Sequence, residues 1–174
     1  MKHFNLKKFS LTAFLIMLAL LLTVSCDMAQ EEETVTAITD FIDVPETLIG
    51  TWEAVTSTYT ESYTITNNTF SSAGAYEGNT VKVFKTSETS GYIYIKYTKA
   101  AMPDWTYSEN APDVGKWYAI SYKELRASSV KLAGAFKASE AGGKTSTETI
   151  EEAKAEFTVE NGYFNLYSEL TKRQ

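Results

Sequence analysis

Hydrophobic residues fall into two regimes along this chain. Residues 11 to 24, LTAFLIMLALLLTV, form an apolar run of fourteen residues relieved only by two threonines. From Leu48 onward the pattern changes to short segments rich in Thr, Tyr, Val and Ile, broken by turn signals every eight to twelve residues. That spacing is how antiparallel sandwiches and barrels read. It predicts strands over 49 to 57, 59 to 66, 69 to 76, 80 to 87, 91 to 98, 116 to 123, 129 to 136, 156 to 160 and 163 to 169. Asn67-Asn68, Glu77-Gly78-Asn79, Ser90-Gly91 and Asn161-Gly162 supply residues that tolerate the positive φ of tight hairpins.

One segment breaks the period of two. In KTSTETIEEAKAEF, Thr145 with Glu148, or Thr149 with Glu152, has capping-box spacing, and Ile150, Ala153 and Phe157 recur at i, i+3 and i+7. The expectation is an all-β, antiparallel up-and-down barrel of about eight to nine strands, with one short helix before the last hairpin. The helix serves equally well as a plug over one barrel end or as a crossover packed outside.

The amino terminus, MKHFNLKKFS, is basic, and the apolar run after it is shorter than the ~20 residues of a bilayer span. A basic start followed by a short apolar stretch is the pattern of a secretory signal. The run ends at Thr23-Val24-Ser25-Cys26, where a small residue precedes the chain's only cysteine. This resembles the lipobox of bacterial lipoproteins, with Thr23 standing where leucine is usual, a substitution that the looser lipoboxes of spirochaete-type lipoproteins accommodate. The resemblance implies cleavage before Cys26 and acylation of its sulfur and new amine. Two or three acyl chains suffice to hold a protein at a bilayer. The chain is therefore expected to divide into a signal peptide over 1 to 25, a lipidated cysteine with an acidic tether over 26 to 45, and a barrel domain over 46 to 174. Its expected location is extracytoplasmic, in the bacterial cell envelope, on a lipid anchor at Cys26.

Charge and composition then narrow the chemistry. The full chain has 16 basic and 22 acidic residues, and loss of Lys2, Lys7 and Lys8 with the signal leaves 13 against 22, or −9. So acidic a mature chain is repelled by nucleic acid and by anionic head groups, so no nucleic-acid partner is expected. His3, the only histidine, leaves with the signal, and Cys26 is taken by the anchor. That excludes His- or Cys-based zinc sites, Ser-His-Asp triads and Cys-His dyads, so no metal or other cofactor is expected. Only carboxylates are left for acid-base work, with Asp104, Glu109 and Asp113 in one segment; a paired-carboxylate glycosidase is the remaining enzymatic alternative, and no enzyme is expected.

LIGTWEAV, at the start of the first strand, resembles the G-x-W of lipocalins and of small bacterial lipocalin-like domains. The resemblance implies that Trp52 closes the barrel floor against a basic residue after the last strand, Arg173 or its neighbour Lys172, through cation–π contact. GKWYAISYKEL and TETIEEAKAEFTVENGYF also resemble segments of uncharacterised lipoproteins of this kind.

The chain has eleven tyrosines. In GYIYIKY, alternation places Tyr92, Tyr94 and Lys96 on one face and Ile93, Ile95 and Tyr97 on the other; in WYAISY it sets Tyr118, Ile120 and Tyr122 opposite Trp117, Ala119 and Ser121. A barrel of about eight strands just encloses one small ligand, and tyrosines give a wall an apolar body with hydrogen-bonding tips. Cross-strand packing on a half-wet surface explains the same residues. The irregular segment 98 to 116 carries Met102, Pro103, Trp105 and Tyr107, apolar groups uncommon in linkers. It is suited to a ligand mouth, a carbohydrate-stacking platform, a protein contact or a folded-back cap. Tyr92, Tyr94, Trp105, Tyr107 and Trp117 are the candidate ligand-binding residues. A small apolar or amphipathic ligand in the barrel is the leading expectation, and an envelope or host partner bound through residues 98 to 116 is the alternative.

Overall fold

Period-two burial organises the structure, a computed structural model that describes residues 40 to 55 and 58 to 174. The signal segment, Cys26 and most of the expected tether lie outside the described residues. Nine strands form: β1 (Gly50–Val55), β2 (Thr60–Ile65), β3 (Thr69–Ser72), β4 (Glu77–Lys85), β5 (Gly91–Ala101), β6 (Tyr107–Ser108), β7 (Trp117–Lys123), β8 (Ser129–Gly134) and β9 (Ser168–Lys172). Each pairs antiparallel with its neighbour, in the order β4-β3-β2-β1-β9-β8-β7-β5, and β4 pairs with β5 to close the ring. The result is an eight-stranded up-and-down barrel, with β6 added beside the end of β5. Among the described residues no helix is long and apolar enough to cross a membrane.

Register decides which face is inside. Trp52 pairs with Tyr63, Ile65 with Phe70, Val83 with Ile93, Ile93 with Ile120, Tyr122 with Leu132 and Val130 with Leu170, and all of these side chains are buried. The opposite parity carries Thr51, Thr64, Asn79, Lys96, Lys131 and Glu169, which meet water. The exception is a patch of the outer face on β5 and β7, where Tyr94, Ala119 and Ser121 are also buried. A helix and the chain on either side of the barrel's long crossover cover it.

That helix, α1 (Ile150–Glu156), starts at Thr149, whose hydroxyl accepts from the Glu152 amide while the Glu152 carboxylate accepts from the Thr149 amide. Of the two candidate capping boxes, the second is the one formed. Ala153 and Phe157 are fully buried, Ile150 packs against the core, and the helix lies against β7 as an outer crossover. Lys154 places its ammonium 3.8 Å from the centre of the Phe84 ring on the outer face of β4.

Two expected boundaries move. The last hairpin, 156 to 160 with 163 to 169, does not form. Asn161 uses its side-chain amide to donate to the carbonyls of Ala155 and Glu156, and Gly162 takes φ 84°, so Asn161-Gly162 terminates α1 instead of joining two strands. The chain then runs irregularly to the single strand β9. The tether also ends earlier than position 45. Ile42 exchanges backbone hydrogen bonds with Val83 (2.8 and 3.0 Å), Phe41 sits edge-on to Tyr94 at 5.5 Å, and Val44 is buried. Because β3 pairs only with Glu77, Gly78 and Asn79, the lower part of β4 has a free edge there, and residues 41 to 43 occupy it.

Trp52 is the floor of the barrel. It has no exposed surface, and its indole N–H donates to the Leu48 carbonyl at 2.8 Å. Truncating it removes a large buried ring from a core that cannot collapse to fill the space. Trp52→Ala is therefore expected to lower stability by ~3 to 5 kcal/mol, read as a drop in the thermal midpoint; an unchanged midpoint would show that the floor is not closed by this ring.

Candidate functional site

The five proposed ligand residues do not converge. Tyr92 and Tyr94 point to the outer face of β5, Tyr94 under Phe41 and Tyr92 against Phe164 at 5.4 Å. Trp117 is on the outer face of β7, where its backbone exchanges hydrogen bonds with Thr147 (2.8 and 2.9 Å). These three belong to the wall beneath the crossover. Trp105 and Tyr107 lie elsewhere, at the β5–β6 tip, and are 77% and 39% exposed.

The aromatic cluster inside the barrel is a different set. Tyr97 stacks on Tyr118 with ring centres 4.9 Å apart, and Tyr76 stands edge-on to both, at 6.1 and 5.2 Å. Tyr76 also stacks on Phe70, which Tyr63 meets at 5.8 Å. The hydroxyls find internal partners: Tyr63 donates to Glu61 and Tyr118 to the Ala135 carbonyl at 3.1 Å. Room for these rings comes from glycines on the inner face. A methyl group at Gly134 would stand 2.6 Å from the Tyr118 hydroxyl oxygen, and one at Gly91 would stand 2.8 Å from that of Tyr122. Among the described residues these rings pack against one another on the inner face. The Ile93–Ile95 parity carried the clue that Tyr97 and Tyr118, not Tyr92 and Tyr94, face inward; Tyr76, at the entry to β4, had no periodic signal to identify it.

Barrel closure follows the expected plan with one exchange of residue. The ammonium of Lys172, paired across from Trp52, lies 5.1 Å from the centre of the indole and donates to the Thr47 carbonyl. Arg173 does not stack on Trp52; it pairs with the Glu53 carboxylate at 3.3 Å. The reason is register: Lys172 has the inward parity of Leu170, and Arg173 the outward one.

The tip itself is a tight hairpin. Met102 and Thr106 are joined by a 2.7 Å hydrogen bond from the Met102 amide, the Trp105 amide donates to the Met102 carbonyl, and Asp104 accepts from both the amide and the hydroxyl of Thr106. Those two bonds hold the Asp104 carboxyl below the usual carboxylate range. Trp105 sits at φ 66°, in the left-handed region that a three-residue hairpin loop reserves for its last residue and normally fills with glycine. Asp113, further along, is a clasp: it accepts from Thr145 (2.6 Å) and Ser146 (2.8 Å) and pairs with Lys116, fixing the end of the segment to the crossover. Of the three carboxylates considered for acid-base work, Asp113 is thus committed to structure, and Asp104 to the turn.

Among the described residues a groove of about 410 Å³ opens on the outside of β8 and β9, lined by Glu124, Lys131, Glu169 and Thr171. Lys131 lines it and bridges Glu124 and Glu169 at 3.1 Å each, so the charges along this groove are paired with one another. Comparison of the chain with protein-family models, with characterised proteins and with solved structures finds no match.

The tyrosine cluster sets a limit at high pH. Burial pushes the Tyr122 hydroxyl up to about 12, and burial likewise raises Tyr63, Tyr94, Tyr97 and Tyr118 well above the usual phenol value. Unfolded tyrosines ionise above pH ~10, so from there the unfolded state binds fewer protons than the folded one and stability falls as pH rises. Tyr122 contributes to that loss from pH ~10 upward. Phenolate absorbance from the buried tyrosines should therefore appear together with loss of the far-ultraviolet circular dichroism signal. Full ionisation near pH 10 with the sheet signal intact would contradict the buried cluster.

Proposed function

We propose that this protein is a lipoprotein of the bacterial cell envelope, held outside the cytoplasmic membrane by lipid on Cys26, whose barrel presents the β5–β6 tip to a partner. The observation that carries the binding role is the distribution of aromatic residues: the interior is packed ring on ring, while Trp105 stands exposed at the end of the longest strand. Position supports it as well. The chain enters the domain at Phe41, against Tyr94, and Trp105 lies beyond Ala101 at the other end of β5. Seven residues of strand at ~3.3 Å each separate the two by roughly 23 Å, so the tip is carried away from the entry point of the tether.

The anchor rests on the sequence: a short apolar run, a small residue and then a lone cysteine. A mature chain of net charge −9, six of its acids in the tether, has little affinity of its own for an anionic bilayer, so attachment requires the acyl chains.

A second function, capture of a small amphipathic ligand at the barrel mouth, is favoured by Tyr76. It is the part-buried member of the tyrosine cluster and follows Ala73-Gly74-Ala75, a small-residue turn from which its ring can leave Phe70. A bound mass retained in non-denaturing mass spectrometry supports capture, and its loss in Tyr76→Ala places the ligand at the mouth; a ligand-free spectrum counts against it.

In cells fed labelled palmitate, the native chain should take up label and Cys26→Ala should not; label persisting in the variant removes the anchor. A photo-crosslinking side chain at position 105 should give discrete adducts with an envelope or host component. The same group at Thr64, exposed on β2, should not. Equal yields at the two sites would remove the tip as a contact surface.

A further inference from the structure

Glu61 places a carboxylate among aromatic rings on the inner face of the barrel. It pairs across from Ala54, two residues along from the Tyr63–Trp52 pair, so it shares their inward parity and lies nearer the β1–β2 turn. One of its oxygens accepts from the Tyr63 hydroxyl. Among the described residues the other oxygen meets no donor, and no lysine or arginine forms an ion pair with this group. Tyr63 meets Phe70, Phe70 stacks on Tyr76, and Ser168, on the inward parity of Leu170, is a second hydrogen-bond partner of the Tyr63 hydroxyl. Glu61, Tyr76 and Ser168 are part-exposed, so solvent reaches this end of the cluster.

Elsewhere the chain supplies cations to its own rings. Lys172 lies over Trp52, Lys123 over Tyr167 at 3.7 Å and Lys154 over Phe84. Among the described residues no cation lies over Tyr63, Tyr76, Tyr97 or Tyr118. Burial first, and then Tyr118, Tyr63, Tyr107 and Glu61, raise the Tyr76 hydroxyl well above the usual phenol value, which puts the Glu61 charge within electrostatic reach of that ring. A carboxylate held part-buried beside phenols loses hydration that one hydrogen bond replaces only in part. An anion at this place meets like charge, and a neutral molecule leaves the carboxylate uncompensated. An ammonium group is attracted both by the carboxylate and by the tyrosine rings.

We propose that the mouth of the barrel binds a small organic cation, with its ammonium against Glu61 and its apolar body along Tyr63 and Tyr76. The inference rests on capture of an amphipathic ligand at the mouth and names the charge of that ligand's head group.

The test uses the full chain in an uncharged detergent, with choline, phenethylamine and the neutral phenethyl alcohol as probes in saturation-transfer NMR. At least one of the two cations should bind in the millimolar range, about tenfold more tightly than the alcohol. Glu61→Gln, whose amide oxygen still accepts from Tyr63, should weaken cation binding about tenfold with little change in the thermal midpoint. Glu151→Gln, exposed on α1, should leave binding unchanged. Tyr63→Phe frees the second carboxylate oxygen and should keep or tighten binding. If the alcohol binds as well as the cations, or Glu61→Gln leaves their advantage intact, the cationic head group is overturned while capture at the mouth stands. If no probe binds, the cation assignment is overturned; a bound mass that still depends on Tyr76 leaves capture standing, and a ligand-free mass spectrum removes both. If Glu61→Gln melts as low as Trp52→Ala, Glu61 serves the fold through Tyr63, and the cation site is overturned.

Discussion

Closure of the barrel depends on a narrow seam. β1 and β9 pair through two positions, Trp52 with Lys172 and Glu53 with Thr171, and β9 reaches β1 only after the chain has left β8 at Gly134 and crossed the outside of the sheet. So short a ladder cannot hold an eight-stranded ring by backbone hydrogen bonds alone. Side chains complete it: Trp52 fills the floor, Lys172 lies over the indole and reaches the Thr47 carbonyl, and Arg173 crosses to Glu53 on the outer surface. The Arg173 amide adds a backbone bond to the Thr51 carbonyl. Closing the ring removes the two edges that an open sheet of this length would present to other chains.

The same ring explains how the inner face packs its aromatic side chains. Where tyrosines point inward, glycines face them from neighbouring strands, as Gly134 faces Tyr118 and Gly91 faces Tyr122. Small opposite large across a barrel allows dense packing without voids. Each ring that gains this packing must also satisfy its hydroxyl, and Glu61 and the Ala135 carbonyl do so for Tyr63 and Tyr118. Tyr122 has no such partner among the described residues, and its burial is the largest single reason its proton is held so tightly. The aromatic richness of the chain is thus spent mainly on the core, which moves the search for a binding surface to the rings left outside.

Alternation made the strands legible and left their facing ambiguous. Both parities of GYIYIKY carry aromatic residues, and on the outer one Tyr94 is buried and Tyr92 part-buried because Phe41 and the chain around α1 cover that face. Sequence periodicity cannot separate a wall facing the barrel from a wall facing a covering helix. The capping box and the Ile150, Ala153, Phe157 spacing were legible because they are local; the lost hairpin was not, because Asn161-Gly162 serves a helix end as readily as a strand turn. Trp52 was legible from its triplet, while its cationic partner required the register of a strand whose ends the sequence did not define. Trp105 stood out as an aromatic in an irregular segment, but its positive φ follows from the Met102–Thr106 hairpin and has no signature in composition.

The entry segment separates this seam from the rest of the chain. Residues 41 to 43 lie along the free edge of β4, held by the two Ile42–Val83 bonds, the Asp43–Lys82 ion pair at 3.3 Å and the Phe41 contacts with Phe84 and Tyr94. After them the chain turns through Pro45 to Leu48 before β1 begins. A pull from the amino-terminal side therefore loads this edge first, and the two bonds and an exposed ion pair are weak enough to yield locally. Val44 and Leu48 are buried, and the Leu48 carbonyl accepts from the Trp52 indole, which ties this stretch to the ring beside the β1–β9 seam. The segment that precedes the seam is thus held at two places, by weak surface bonds on the β4 edge and by buried contacts next to Trp52.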